Sequence, residues 1–192
     1  MRRRLRAATI LAGLLVAQAG LAQDTVREEP RILEQDGGAR VEYTLRVHPA
    51  GAHLPQAGAA LAPDSALNTA KLLNLHLSTG DLDEAAGLSN SPRRRFEVLR
   101  DYRDSVGIEE FKRVFAQYLQ PENRLVAEVV IGTHRLLVWE LKDAVQGKAP
   151  HLAGQYFVDV EGRTLVDDVP SETRTRLRRV LEAYRAGKLP GS

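Results

Sequence analysis

Two apolar, β-branched runs flank Gly132-Thr133-His134, and no other stretch restricts the fold as strongly. The first run is Leu-Val-Ala-Glu-Val-Val-Ile (125–131) and the second is Arg-Leu-Leu-Val-Trp-Glu-Leu (135–141). Such runs about a glycine-led break predict a β-hairpin. One face of the first arm carries Leu125, Ala127, Val129 and Ile131. A three-residue loop adds Leu137, Trp139 and Leu141 to that face, whereas a two-residue loop with Gly132 first adds Leu136 and Val138. A slip of one residue exchanges every side chain between faces. The three-residue loop is the preferred reading, because it leaves one face apolar along both arms except for Arg135 at the tip. A face of that kind cannot stay in water, so helices elsewhere in the chain are expected to lie on it.

Further strands extend this hairpin. Gln155–Val160 and Arg163–Val169 flank Glu161-Gly162 and read as a second hairpin, with Tyr156, Val158 and Val160 as its cleaner apolar row. Val41–Val47 alternates strictly and reads as a half-buried strand, at a sheet edge or on a separate flap. Gln23–Arg40 is polar, with a turn at Asp36-Gly37-Gly38, and is expected to be mobile or loosely attached. His48–Pro63 is an Ala/Gly/Pro linker without periodicity.

Helix signals fill the rest. Asp64 or Ser65 caps a helix that Gly80 stops, and Asp81 caps a short successor. Ser91-Pro92 starts a third helix, ended by Gly107. Ile108, Phe111, Val114, Phe115, Tyr118 and Leu119 mark a fourth. Pro170-Ser171 opens a last one, which closes at Gly187. The expected class is α+β: a curved antiparallel sheet of about four strands, made of two consecutive hairpins, covered by amphipathic helices, plus a C-terminal helix. Residues 23–63 are expected to form an N-terminal strand and flexible linker, and 64–192 the α+β domain with the C-terminal helix.

Residues 1–22 carry the three parts of a secretory signal peptide: basic Met1–Arg6, apolar Ala7–Ala17, and small residues before a cut after Ala22 or after Ala19. The apolar run falls short of the roughly 20 residues that span a bilayer, so no transmembrane segment is expected after cleavage. The chain holds 27 basic and 25 acidic residues. Arg2, Arg3, Arg4 and Arg6 leave with the leader, which holds no acid, so the mature balance is 23 to 25. The basic excess belongs to export, and no nucleic-acid surface is read. There is no cysteine, which excludes disulfides, a thiol nucleophile, thiolate ligands and a lipoprotein anchor. The leader and the 22 arginines against 5 lysines suggest a periplasmic or secreted protein of a Gram-negative bacterium.

No nucleophile elbow, phosphate-binding glycine-rich loop, His-Glu-x-x-His motif or calcium loop occurs. No cofactor, metal ligand or catalytic residue is assigned. His48 and His53 have no further ligand type at a telling distance and read as solvated loop. The candidate ligand-binding residues are His76, Trp139, Tyr156 and Asp168. Trp139 and Tyr156 each join an apolar ring to a polar handle, which suits a core edge or a pocket. Asp167 and Asp168 point to opposite faces of a strand, so only one enters a given site. Arg93, Arg94 and Arg95 occupy a helix's first turn, where they oppose its dipole. They are the candidate surface for an anionic partner. The last helix adds Arg174, Arg176, Arg178, Arg179 and Arg185 beside few acids, as a solvated face or an anionic contact.

One helix ends in Ser78-Thr-Gly-Asp-Leu-Asp-Glu-Ala-Ala86, and the last hairpin reads Tyr156-Phe-Val-Asp-Val-Glu-Gly-Arg-Thr-Leu-Val-Asp-Asp168. Over roughly 67–169 this order resembles the nuclear transport factor 2-like superfamily. The resemblance implies a curved sheet with helices on its concave side, forming a cone able to hold a pocket. Members include isomerases, dehydratases, hydrolases, transport adaptors and exported domains. The arginine-rich last helix follows the point where that fold commonly ends, and the Asp and His residues of catalytic members have no counterpart here. The favoured expectation is a non-enzymatic periplasmic domain that binds a small apolar ligand or an envelope protein. The rival is an isomerase, dehydratase or hydrolase with an acid/base pocket.

Overall fold

The computed structural model describes residues 26–34, 40–56, 60–142 and 150–189. The leader at 1–22, the turn at Asp36-Gly37-Gly38 and residues 143–149 of the loop after Leu141 lie outside these. Six antiparallel strands pair in chain order: β1 (Arg27–Glu34), β2 (Arg40–Val47), β3 (Arg124–Ile131), β4 (His134–Leu141), β5 (His151–Val160) and β6 (Arg163–Val166). The helices are α1 (Ala66–Thr79), α2 (Leu82–Gly87), α3 (Pro92–Val106), α4 (Ile108–Ala116) and α5 (Glu172–Arg185). None is long and apolar enough to cross a membrane among the described residues.

The α+β class holds, but the sheet has six strands rather than about four. The first addition is β1, which falls in the stretch expected to be loosely attached. It pairs with β2 from Arg27↔Val47 to Glu34↔Arg40. An edge strand is held largely by its ladder of backbone bonds and needs few apolar anchors; here Leu33 is the buried one. Its charges and Pro30 are the residues that edges tolerate. The second addition is β2, which is neither an edge nor a separate flap, because Leu45 pairs with Val129 of β3.

The hairpin loop is two residues long, correcting the three-residue preference. Ile131 pairs with His134 across Gly132-Thr133, and Gly132 takes φ 59°, which glycine adopts without strain. That preference assumed one buried face, and both faces are buried. A bulge between Leu125 and Ala127 divides the first arm. Leu125, opposite Trp139, packs with α1–α4, while Ala127, Val129, Leu136 and Val138 pack under α5.

Two cores result. On one face Leu137, Trp139, Leu141 and Phe157 lie beneath Leu73, Leu77, Leu99 and Phe111 of α1, α3 and α4. On the other, Val41, Tyr43, Val129 and Leu136 meet Leu177, Val180, Leu181 and Tyr184 of α5. Burying each such side chain stabilises by about 1.5–3 kcal/mol, enough to seat a 14-residue helix on bare sheet.

The helix ends follow their local chemistry. Ser65 and Ser171 accept the N–H groups of Asn68 and Arg174, Asp81 accepts that of Glu84, and Gly80 stops α1 at φ 88°. The linker histidines are not solvated. His48 Nε2 lies 2.5 Å from Glu128, and His53 is 3 % exposed, with Nε2 3.2 Å from the Gln120 carbonyl.

Candidate functional site

The end of β6 meets the start of α3. Ser89 forms a parallel bridge with Val166, and Asn90 donates to Asp167 while accepting the Asp168 N–H at 2.9 Å. Asp168, expected to touch a ligand, is occupied: Arg95 grips both its oxygens and Ser89 Oγ donates to it at 2.6 Å. The arginine triplet is thereby divided. Arg95 belongs to Asp168, and Arg93 pairs with Glu97 at 3.3 Å. Among the described residues Arg94 reaches only the Asp168 carbonyl, at 3.4 Å, and stays exposed.

Arg94 lines an open cleft of about 280 Å³ together with Tyr156, Pro170, Ser171, Arg174, Thr175 and Arg178. Tyr156 enters from the α5 side of β5, directly across from Leu136. The Arg174 guanidinium lies over the Tyr156 ring, 5.2 Å from its centroid, where the electron-rich face attracts a cation. Arg174 and Arg178 stand one turn apart on the same edge of α5, as spacing of four dictates. Burial pushes the Tyr156 phenol above its ordinary range, while Arg174, Arg185 and Arg178 pull it back. All three cations therefore act on that one ring.

Three acids near the cleft are already engaged. Asp168 holds Arg95, Glu97 holds Arg93, and Glu182 holds Arg185. Among the described residues no carboxylate pairs with Arg94, Arg174 or Arg178, and none lines the cleft. Two hydroxyls are partly engaged: Ser171 Oγ accepts the Arg174 N–H, and Thr175 Oγ1 donates to the Ser171 carbonyl. What the cleft offers is guanidinium donors beside the Tyr156 phenol.

The other expected residues lie elsewhere. Trp139 is 1 % exposed, wedged between the His53 and Tyr118 rings, and its Nε1 has no partner among the described residues. His76 is half-buried on α1, where its carbonyl accepts the Asp81 N–H. Neither lines the cleft.

Sequence reading missed a second ionic cluster around Glu128, which is 2 % exposed on β3. His48, Arg46 and Arg135 surround it, and Arg135 also grips Asp159. Burial tends to raise the Glu128 pKa, but the His48 hydrogen bond and the charges of His48, Arg46 and Arg135 outweigh it and hold it below the usual range. Burial likewise works to raise Asp159, and hydrogen bonds from Arg135 and Thr164 bring it below its ordinary value. These shifts fix ions in place; an acid/base pair requires values drawn toward neutrality. The sequence signal was present, since Glu128 interrupts an apolar strand. A third pair joins His134 Nδ1 to Asp167 at 3.0 Å.

Comparison with known proteins adds no relative: no family model, no curated protein and no solved structure matches this chain.

Proposed function

We propose that this domain binds rather than catalyses, and that its ligand presents an anionic group to the cleft between α3, β5 and α5. One observation carries the reading: Arg94, Arg174 and Arg178 share a cleft wall that, among the described residues, holds no carboxylate. Like charges gathered without a counterion repel one another, and an anion relieves that repulsion. The geometry supports a charged ligand better than the apolar one first expected, since Trp139 spends its ring on the core. Export to the periplasm rests on the leader-like residues 1–22, and the nuclear transport factor 2-like assignment rests on the sequence motifs alone.

His134 held by Asp167, which is 2 % exposed, favours the enzymatic rival, because a buried carboxylate orients an imidazole for proton transfer. Neither residue lines the arginine cleft, so the binding reading stands first.

The test is to isolate the exported chain from its native compartment and identify co-purifying molecules by mass spectrometry, beside an Arg174→Gln variant. An anionic compound retained by the wild type and lost from the variant supports the proposal. Recovery of neutral apolar compounds alone, or of nothing above background, overturns it.

A further inference from the structure

We infer that the arginine cleft is a phosphate-monoester site: Arg94 from α3 and Arg174 and Arg178 from α5 give three guanidinium forks to a single tetrahedral dianion. The inference rests on the anion-cleft reading above and narrows it by chemistry.

Counting acceptors separates the candidate anions. A carboxylate presents two oxygens and one negative charge, which a single arginine fork satisfies. In this cleft it would leave two further guanidiniums facing each other. A phosphate monoester carries close to two charges at neutral pH and three acceptor oxygens, which form three oxygen pairs, one for each two-pronged fork. A phosphodiester has a single charge and only two free oxygens, and matches no better than a carboxylate.

Placement agrees with this count. Arg174 and Arg178 rise from one edge of α5, and Arg94 comes from a different helix and closes on the same space. Arginine is the side chain suited to such multidentate contacts. Arg174 is already oriented by the Tyr156 ring, which lowers the entropy lost on binding. Pro170 and Ser171 bring the positive end of α5 to the same cleft, adding its dipole to the field.

Size limits what the phosphate is attached to. A cleft of about 280 Å³ lies just below the roughly 300–1,000 Å³ of small-molecule sites. It accommodates the phosphate and a small adjoining body. Because the cleft opens to solvent, the remainder of the ligand lies outside it. A free sugar or glycerol phosphate and a monoester lipid headgroup both satisfy that description.

The experiment titrates the full exported chain by calorimetry with glycerol 3-phosphate and, at matched ionic strength, with acetate. A parallel arm measures co-sedimentation with phosphatidylcholine vesicles containing phosphatidic acid, a monoester, or phosphatidylglycerol, a diester. The expected result is saturable binding of the monoester at least about tenfold tighter than acetate. Each of Arg94→Gln, Arg174→Gln and Arg178→Gln should weaken it by about tenfold or more, as loss of a hydrogen bond to a charged group implies. Thermal melts confirm that the variants remain folded; Arg94 and Arg178 are exposed and bear on no core. Tight glycerol 3-phosphate binding assigns a soluble ester. Binding to phosphatidic acid vesicles alone, with phosphatidylglycerol inert, assigns the lipid form, and either result upholds the monoester inference. Acetate or phosphatidylglycerol bound as tightly as the monoesters overturns the inference while leaving an anion cleft. No anion bound, or binding indifferent to all three substitutions, overturns both.

Discussion

Arg95 and Asp168 are joined by two parallel hydrogen bonds, Nε to Oδ2 and Nη2 to Oδ1, each 2.7 Å. The pair clamps the first turn of α3 to the end of β6, and Ser89 and Asn90 complete the shell around Asp168. Both side chains are mostly shielded from water, so the pair is screened less than a surface bridge. Arg95→Ala leaves a half-buried carboxylate short of its main partner, and should lower stability by about 2–3 kcal/mol. Arg95→Lys keeps the charge, loses the fork, and should recover only part of this. Urea denaturation measures both; a loss below about 0.5 kcal/mol, the range of ordinary surface changes, would show that the clamp does not hold α3.

Glu128 predicts a pH dependence. Its folded pKa lies below the ordinary 4.5 because the His48 bond and the Arg46 and Arg135 charges outweigh its burial. A depressed carboxylate contributes stability that is fully present above the unfolded value and is lost as pH falls through the folded one. The protein should therefore weaken as pH drops below about 4.5, and Glu128→Gln should flatten that part of the profile. At neutral pH the same substitution leaves Arg46, His48 and Arg135 around a neutral amide, and should cost about 3 kcal/mol. Parallel acid profiles for wild type and variant would contradict the assignment.

Local chemistry was legible in the sequence and spatial pairing was not. Ser65, Gly80, Asp81, Gly107 and Ser171 bound their helices because a cap acts within one turn of itself. Both hairpins were readable because each turn and its flanking apolar runs are neighbours in sequence. The register at Gly132-Thr133 was not, because a strand buried on both faces carries no alternation to choose between them. The stripe on α5 declared an apolar face without saying which side of the sheet it covers. β1 was hidden because an edge strand is allowed to be polar. The cleft shows the same limit: Arg93, Arg94 and Arg95 look alike in sequence, and only the positions of Glu97 and Asp168 leave Arg94 unpaired.

Gly154 of β5 lies against Leu181 of α5. A Cβ there would lie 2.6 Å from Leu181 Cδ2 and 3.0 Å from Leu136 Cδ1. Both methyls are buried, so the overlap is relieved only by moving side chains in a packed core. Gly154→Ala should destabilise by about 1–3 kcal/mol, and Gly154→Val by more. Leu181→Ala opens space at that point and should make Gly154→Ala less harmful than in the wild-type background. A double-mutant cycle by denaturation reads the coupling; strict additivity would mean that α5 shifts as a body.

Asn74 and Gln155 meet between α1 and β5, in the core that also holds Trp139. Gln155 Nε2 donates to Asn74 Oδ1 at 3.0 Å, leaving Asn74 Nδ2 and Gln155 Oε1 without partners among the described residues. Asn74→Leu alone strands the whole Gln155 amide, and should lower stability by about 1–3 kcal/mol. Asn74→Leu combined with Gln155→Leu removes every polar atom of the pair. It should return stability to the wild-type level or above, because replacing both partners by apolar groups of similar shape abolishes the desolvation penalty. Denaturation of the two single variants and the double one closes the cycle. A double variant less stable than either single would mean that the amides are satisfied by an enclosed water, which needs two to four polar partners.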